Sequence, residues 1–99
     1  MSETVFFEIT FPIGAAYEVA DRHEIEDTLH EALQEADLGE VTGGGTGMGR
    51  ANIDVEVTDP LRGLALVRKI LQDFSIPTNT VIRQAGTPSI NHRVYEPHT

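Results

Sequence analysis

The sequence predicts an α+β sandwich, an antiparallel four-stranded sheet with two helices on one face. Three observations lead there. Short segments that alternate apolar and polar residues, the mark of half-buried strands, are interleaved with two longer segments whose apolar residues recur every three or four positions. The order is strand, helix, strand, strand, helix, strand. Each helix has one apolar stripe and each strand one apolar face, so the two layers bury those surfaces against each other. With 99 residues, 39% hydrophobic and 23% charged, the chain is sized and composed for a single folded domain.

The first strand covers residues 4–11, with Val5, Phe7, Ile9 and Phe11 on one face and Phe6, Glu8 and Thr10 on the other. Pro12 and Gly14 break it. Asp21 is the expected N-cap of the first helix, with Glu24 in the capping-box position three residues later. Ile25, Leu29, Ala32, Leu33 and Ala36 make its buried stripe, and Gly39 is placed as the C′ residue that ends it. The second strand is short, residues 40–42. The third, residues 51–57, turns Ile53, Val55 and Val57 inward and Asn52, Asp54 and Glu56 outward. Asp59 as N-cap and Pro60 at the first helical position open the second helix. Leu61, Leu64, Val67, Leu71 and Phe74 lie along one face of it, and Pro77 stops it by restricting Ile76. Residues 80–84 form the fourth strand. The domain therefore takes in residues 1–86. Residues 87–99 are a tail, in which residues 90–95 either add an edge strand or stay loose.

This order of elements is that of the ferredoxin-like split βαβ sandwich, which the chain resembles over roughly residues 4 to 84. The glycine-rich hairpin leading into Ile53-Asp-Val-Glu-Val57 resembles that of small uncharacterised bacterial proteins. No functional family comes with the resemblance. The fold hosts regulatory, nucleic-acid-binding, metal-carrying and enzymatic proteins, so it implies architecture and no activity.

The formal net charge is −9, and it is unevenly spread. Residues 1–49 hold eleven acidic side chains and one basic, Arg22; residues 50–99 hold five acidic and six basic. Nucleic-acid binding depends on basic patches and counterion release, so DNA and RNA are not expected partners. An acidic half suits a basic partner protein, or serves solubility alone. No apolar stretch approaches the roughly 18 residues of a membrane span, and the start of the chain has no secretory pattern. Cysteine is absent, which removes disulfides, thiolate metal sites and cysteine nucleophiles. The expected location is the cytoplasm.

Gly43, Gly44, Gly45, Gly47 and Gly49 are five of the nine glycines, and Arg50 follows them. A third glycine is missing from any G-x-G-x-x-G reading, and Arg50-Ala51 stands where a Walker motif needs Lys-Ser/Thr. The run is expected to be the flexible turn of a bulged hairpin. The alternative is a backbone nest for an anion, with Arg50 as its charge. On the first helix, Glu24, Asp27, Glu31 and Glu35 stack at spacings of three and four into an acidic ridge. Like charges so placed weaken a helix, which hints at a docking surface. His23 and His30 flank the ridge seven residues apart, whereas a helical metal site favours four, so no metal or other cofactor is assigned. The serines have no catalytic setting and there is no H-E-x-x-H. Glu8, Asp54 and Glu56 would serve acid–base chemistry only if buried.

Three functions remain, in order of preference. The first is a non-catalytic interaction protein, of inhibitor or immunity type, that docks a basic partner through the ridge or the acidic sheet face. The second is a regulatory domain that binds a small molecule or anion on the glycine-rich hairpin. The third is an enzyme with carboxylates on the open sheet face. That face also offers a surface for a homodimer, which its acidic side chains oppose unless Arg83 or an ion pairs with them.

Overall fold

The computed structural model describes residues 4–12 and 19–95, with the side chains of the first helix described from Arg22 onward. Strand β1 (Val5–Pro12) is followed by helix α1 (Val19–Glu35), strands β2 (Gly39–Gly47) and β3 (Arg50–Val57), helix α2 (Pro60–Asp73), and strands β4 (Val81–Gln84) and β5 (Ile90–Arg93). The sheet has five strands where four were expected. Their order is β2-β3-β1-β4-β5, and every neighbouring pair is antiparallel.

The period-two pattern of β1 and β3 sets which face is buried. Phe7 pairs with Val55, Phe11 with Ala51, and Ile9 lies between Ile53 and Ile82. All of these are buried, together with Ile25, Leu29 and Leu33 of α1 and Val67 and Leu71 of α2. Both helices therefore cover the same face of the sheet. Burying each such side chain contributes about 1.5–3 kcal/mol, which makes this layer the main source of stability. Leu61 departs from expectation and is 82% exposed. It lies about 120° around the helix from the centre of the stripe formed by Gly63, Leu64, Val67, Ile70 and Leu71, so it points past the sheet. Gly63 brings α2 close to β3, because a Cβ there would come within 2.9 Å of the Val57 side chain.

The helix ends correct two expectations. Asp21 lies inside α1, since the helix spans Val19–Glu35. At the other end the left-handed residue is Asp37, at φ 55°, instead of Gly39. Leu38 N–H donates to the Leu33 carbonyl and Asp37 N–H to the Gln34 carbonyl, which is a Schellman closure with buried Leu38 as its apolar anchor. The second helix ends the same way, with Ser75 at φ 54° and Ile76 N–H bonded to the Leu71 carbonyl. Its start agrees with the sequence: the Asp59 carboxylate accepts from the N–H groups of Leu61 and Arg62 at 3.1 Å each. Gly39 instead opens β2, where a Cβ would strike the Glu56 carbonyl oxygen.

β5 is held from the helical layer. Arg68 Nε donates to the Arg93 carbonyl, Gln72 Nε2 to the Val94 carbonyl and the Tyr95 hydroxyl to the Ile76 carbonyl, each at 2.8 Å. Val94 itself is fully buried.

Candidate functional site

The glycine run is a strand, not a loop. β2 continues through Gly43, Gly44, Gly45 and Gly47, paired in turn with Asp54, Ile53, Asn52 and Arg50. The expected bulge is present, with the register shifting between Val41 and Gly43 so that Thr42 is the extra residue. Thr42 Oγ1 donates to the Asp54 carbonyl at 3.3 Å. Only Met48 and Gly49 form the turn, at φ 53° and 75°. Two consecutive positive values match a type I′ hairpin, whose twist suits the flanking strands. An anion nest needs successive N–H groups converging on one point, and an extended strand directs them to alternate sides.

The missing side chains serve both faces of β2. On the helix side, a Cβ at Gly44 would lie 2.6 Å from Glu26 Oε1 and 2.7 Å from Arg22 Nη1. Arg22 and Glu26 are bonded to each other across one helical turn, and glycine lets that pair rest on the strand. On the opposite face Gly43, Gly45 and Gly47 leave a bare strip. Asp54 Oδ2 and Asn52 Oδ1 border it, at 3.5 Å and 3.4 Å from where the Cβ atoms of Gly43 and Gly45 would be, and nothing among the described residues comes within 4 Å of that position at Gly47.

All four ridge residues on α1, Glu24, Asp27, Glu31 and Glu35, are exposed. Helical geometry turns them away from the buried Ile25, Leu29 and Leu33, toward solvent. Among the described residues none of the four forms an ion pair, because Arg22 is turned toward β2 and engaged with Glu26. His23 stands 4.0 Å from Glu26, while His30 has a structural task. Its Nδ1 accepts the Val41 N–H at 3.2 Å, so α1 caps one backbone donor of the edge strand. No group of three potential metal ligands gathers among the described residues.

The open face carries Phe6, Glu8, Thr10, Asn52, Asp54 and Glu56 as expected. Register adds what periodicity within one strand leaves out. Glu40 lies directly opposite Glu56, and Glu8 directly opposite Asp54, so like charges meet across two strand pairs. On the other side of β1, Glu8 faces Arg83, whose Nη2 is 3.4 Å from Glu8 Oε1. Arg93 lies opposite Val81, one strand further out. Apart from Arg50 at the start of β3, the face is thus divided into an acidic half on β2 and β3 and a basic half on β4 and β5. The sequence shows the basic half only in part, because residues 90–95, which carry Arg93, have no pattern that separates an edge strand from a loose tail. Two shallow depressions of about 250 and 390 Å³ flank Glu8, Thr10 and Arg50 on this face. Glycines 45 and 47 border the larger one.

No protein-family model, no curated protein and no solved structure matches the chain.

Proposed function

We propose that the protein is a non-catalytic acidic interaction module, built as a ferredoxin-like sandwich, that docks a basic partner protein through the ridge on α1. The observation that carries this reading is the row of Glu24, Asp27, Glu31 and Glu35, exposed together and without a cation partner among the described residues. The one arginine of the helix is spent on Glu26, so nothing on α1 neutralises the row. Such a surface steers and holds a cationic partner by complementary potential, with a strong dependence on salt. An inhibitor or immunity-type protein for a basic enzyme is the kind of role this layout serves. The anion-binding reading has less to support it. Gly43, Gly44, Gly45 and Gly47 are extended, and of the cations near the run Arg22 is engaged with Glu26, which leaves Arg50 alone to hold an anion.

The test uses an arginine-rich peptide as probe, titrated against the full chain by calorimetry. The expected result is binding that weakens at least tenfold when the ridge is neutralised as Glu24→Gln, Asp27→Asn, Glu31→Gln and Glu35→Gln. A sheet-face variant, Asp54→Asn with Glu56→Gln, should bind as the parent does. Affinity that is unchanged in the ridge variant would remove the ridge from the function.

A further inference from the structure

We infer that the open sheet face pairs with a second copy of this chain, the two sheets stacked face to face about a two-fold axis that runs along β1. This proposal is independent of the ridge, which lies on the far side of the helical layer. It rests on how charges and side-chain sizes are placed across the five strands.

A two-fold axis parallel to β1 exchanges the two sides of the sheet while keeping position along the strands. β3 of one copy then lies over β4 of the other, and β2 lies over β5. The rows are fixed by register. Asp54 and Arg83 occupy one row, since both face Glu8 across β1, so each Asp54 meets the Arg83 of the other copy. Gly45 and Arg93 share the next row, being linked through Asn52, Thr10 and Val81. The long Arg93 side chain of each copy is thereby received where β2 has no side chain at all. This explains why the glycines at 43, 45 and 47 all fall on the open face, where a close helix makes no demand for them. On the axis itself Phe6, which is 50% exposed, meets its own counterpart. Glu8 also meets its counterpart there, each held by its own Arg83.

Sheets stack about 10 Å apart with strands within about 30° of each other, which this arrangement allows. Five strands at about 4.8 Å spacing, eight residues long at the centre and four at one edge, offer on the order of 500 Å² per copy. The total of roughly 1,000 Å² reaches the lower bound for a specific interface. A pair held this way dissociates at low concentration and forms through matched charge. A basic partner of another kind would satisfy the acidic half and would be repelled by Arg83 and Arg93.

The experiment is sedimentation equilibrium of the full chain between 5 and 500 μM (roughly the span over which interfaces of this size assemble), with charge-swapped variants at exposed positions. The parent should reach twice the chain mass. Asp54→Arg alone and Arg83→Asp alone should each remain monomeric, because each places like charges together twice. An equimolar mixture of the two should recover the dimer, since one contact then regains opposite charges with reversed sign and the other keeps its native Asp54–Arg83 pairing. Circular dichroism of each variant checks that the fold is retained. A parent that stays monomeric at 500 μM overturns the inference. So does a dimer indifferent to both swaps, or a mixture that fails to recover.

Discussion

Thr80 is 1% exposed, and its Oγ1 is buried with no hydrogen-bond partner among the described residues. Its backbone N–H is satisfied by the Pro77 carbonyl, so the cost lies in the hydroxyl alone. Stranding a buried donor or acceptor costs about 1–3 kcal/mol, and valine fills nearly the same volume without that group. Thr80→Val should therefore stabilise the protein by about 1 kcal/mol, which for a domain of this size raises Tm by about 4–8 °C. Thermal unfolding followed by calorimetry measures it. An unchanged or lowered Tm would mean that the hydroxyl is satisfied in solution. The same attention to single residues explains the helix ends. Gly39 was expected at the left-handed position after α1, but Asp37 occupies it, as Ser75 does after α2, and these carry no clear signal in a sequence. Gly39 was legible as a required glycine, though for the wrong reason: its task is to let β2 approach the Glu56 carbonyl.

Among the elements, β5 is held mostly by contacts that lie outside its own segment. Ile90, Asn91 and Arg93 are exposed, so the strand shows no apolar alternation by which to recognise it. Its hold comes from Arg68 and Gln72 on α2, from Tyr95 on Ile76 and from the burial of Val94. Removing the Val94 side chain as Val94→Ala should cost about 2 kcal/mol, and removing one hydrogen bond as Tyr95→Phe about 1 kcal/mol. Urea denaturation should show both as lower midpoints with an unchanged slope. Midpoints equal to that of the parent would show that β5 opens independently of the domain. The extension of β2 beyond residues 40–42 through the glycines escapes the sequence for a related reason. Glycine has low strand propensity, and what makes residues 43–47 a strand is pairing with β3 beneath the Arg22–Glu26 pair, which lies some twenty residues away in the chain. By contrast β1, β3 and α2 were legible because pattern, caps and core all agree within each segment. The ridge was legible from spacing alone, whereas the divided charge of the open face needed the register of all five strands.

For the molecule as a whole, the two surfaces marked by charge lie on opposite sides, the ridge on the helical layer and the mosaic on the open sheet. A partner on one leaves the other free, and a face-to-face dimer would display two ridges pointing apart. This separation also lets the energetic cost of the ridge be isolated. The ridge contains three adjacent pairs, Glu24 with Asp27, Asp27 with Glu31, and Glu31 with Glu35, and each such pair costs about 0.2–0.5 kcal/mol in a helix. The helix dipole offsets little of this. With α1 beginning at Val19, Glu24 and Asp27 lie beyond the first turn, and Glu35 ends the helix where negative charge is unfavourable. Neutralising all four carboxylates should thus stabilise the protein by about 1 kcal/mol at low salt. The gain should shrink as salt rises, because the Debye length falls from about 30 Å at 0.01 M to about 3 Å at 1 M. Comparing parent and variant at each salt concentration cancels every effect on the sheet face, the dimer included, since both chains share it. The difference in unfolding free energy between the two is the quantity to follow. If it is absent at 0.01 M, or does not decline with salt, the ridge carries no repulsion to be relieved, and a charge row maintained at a cost for docking loses its thermodynamic support.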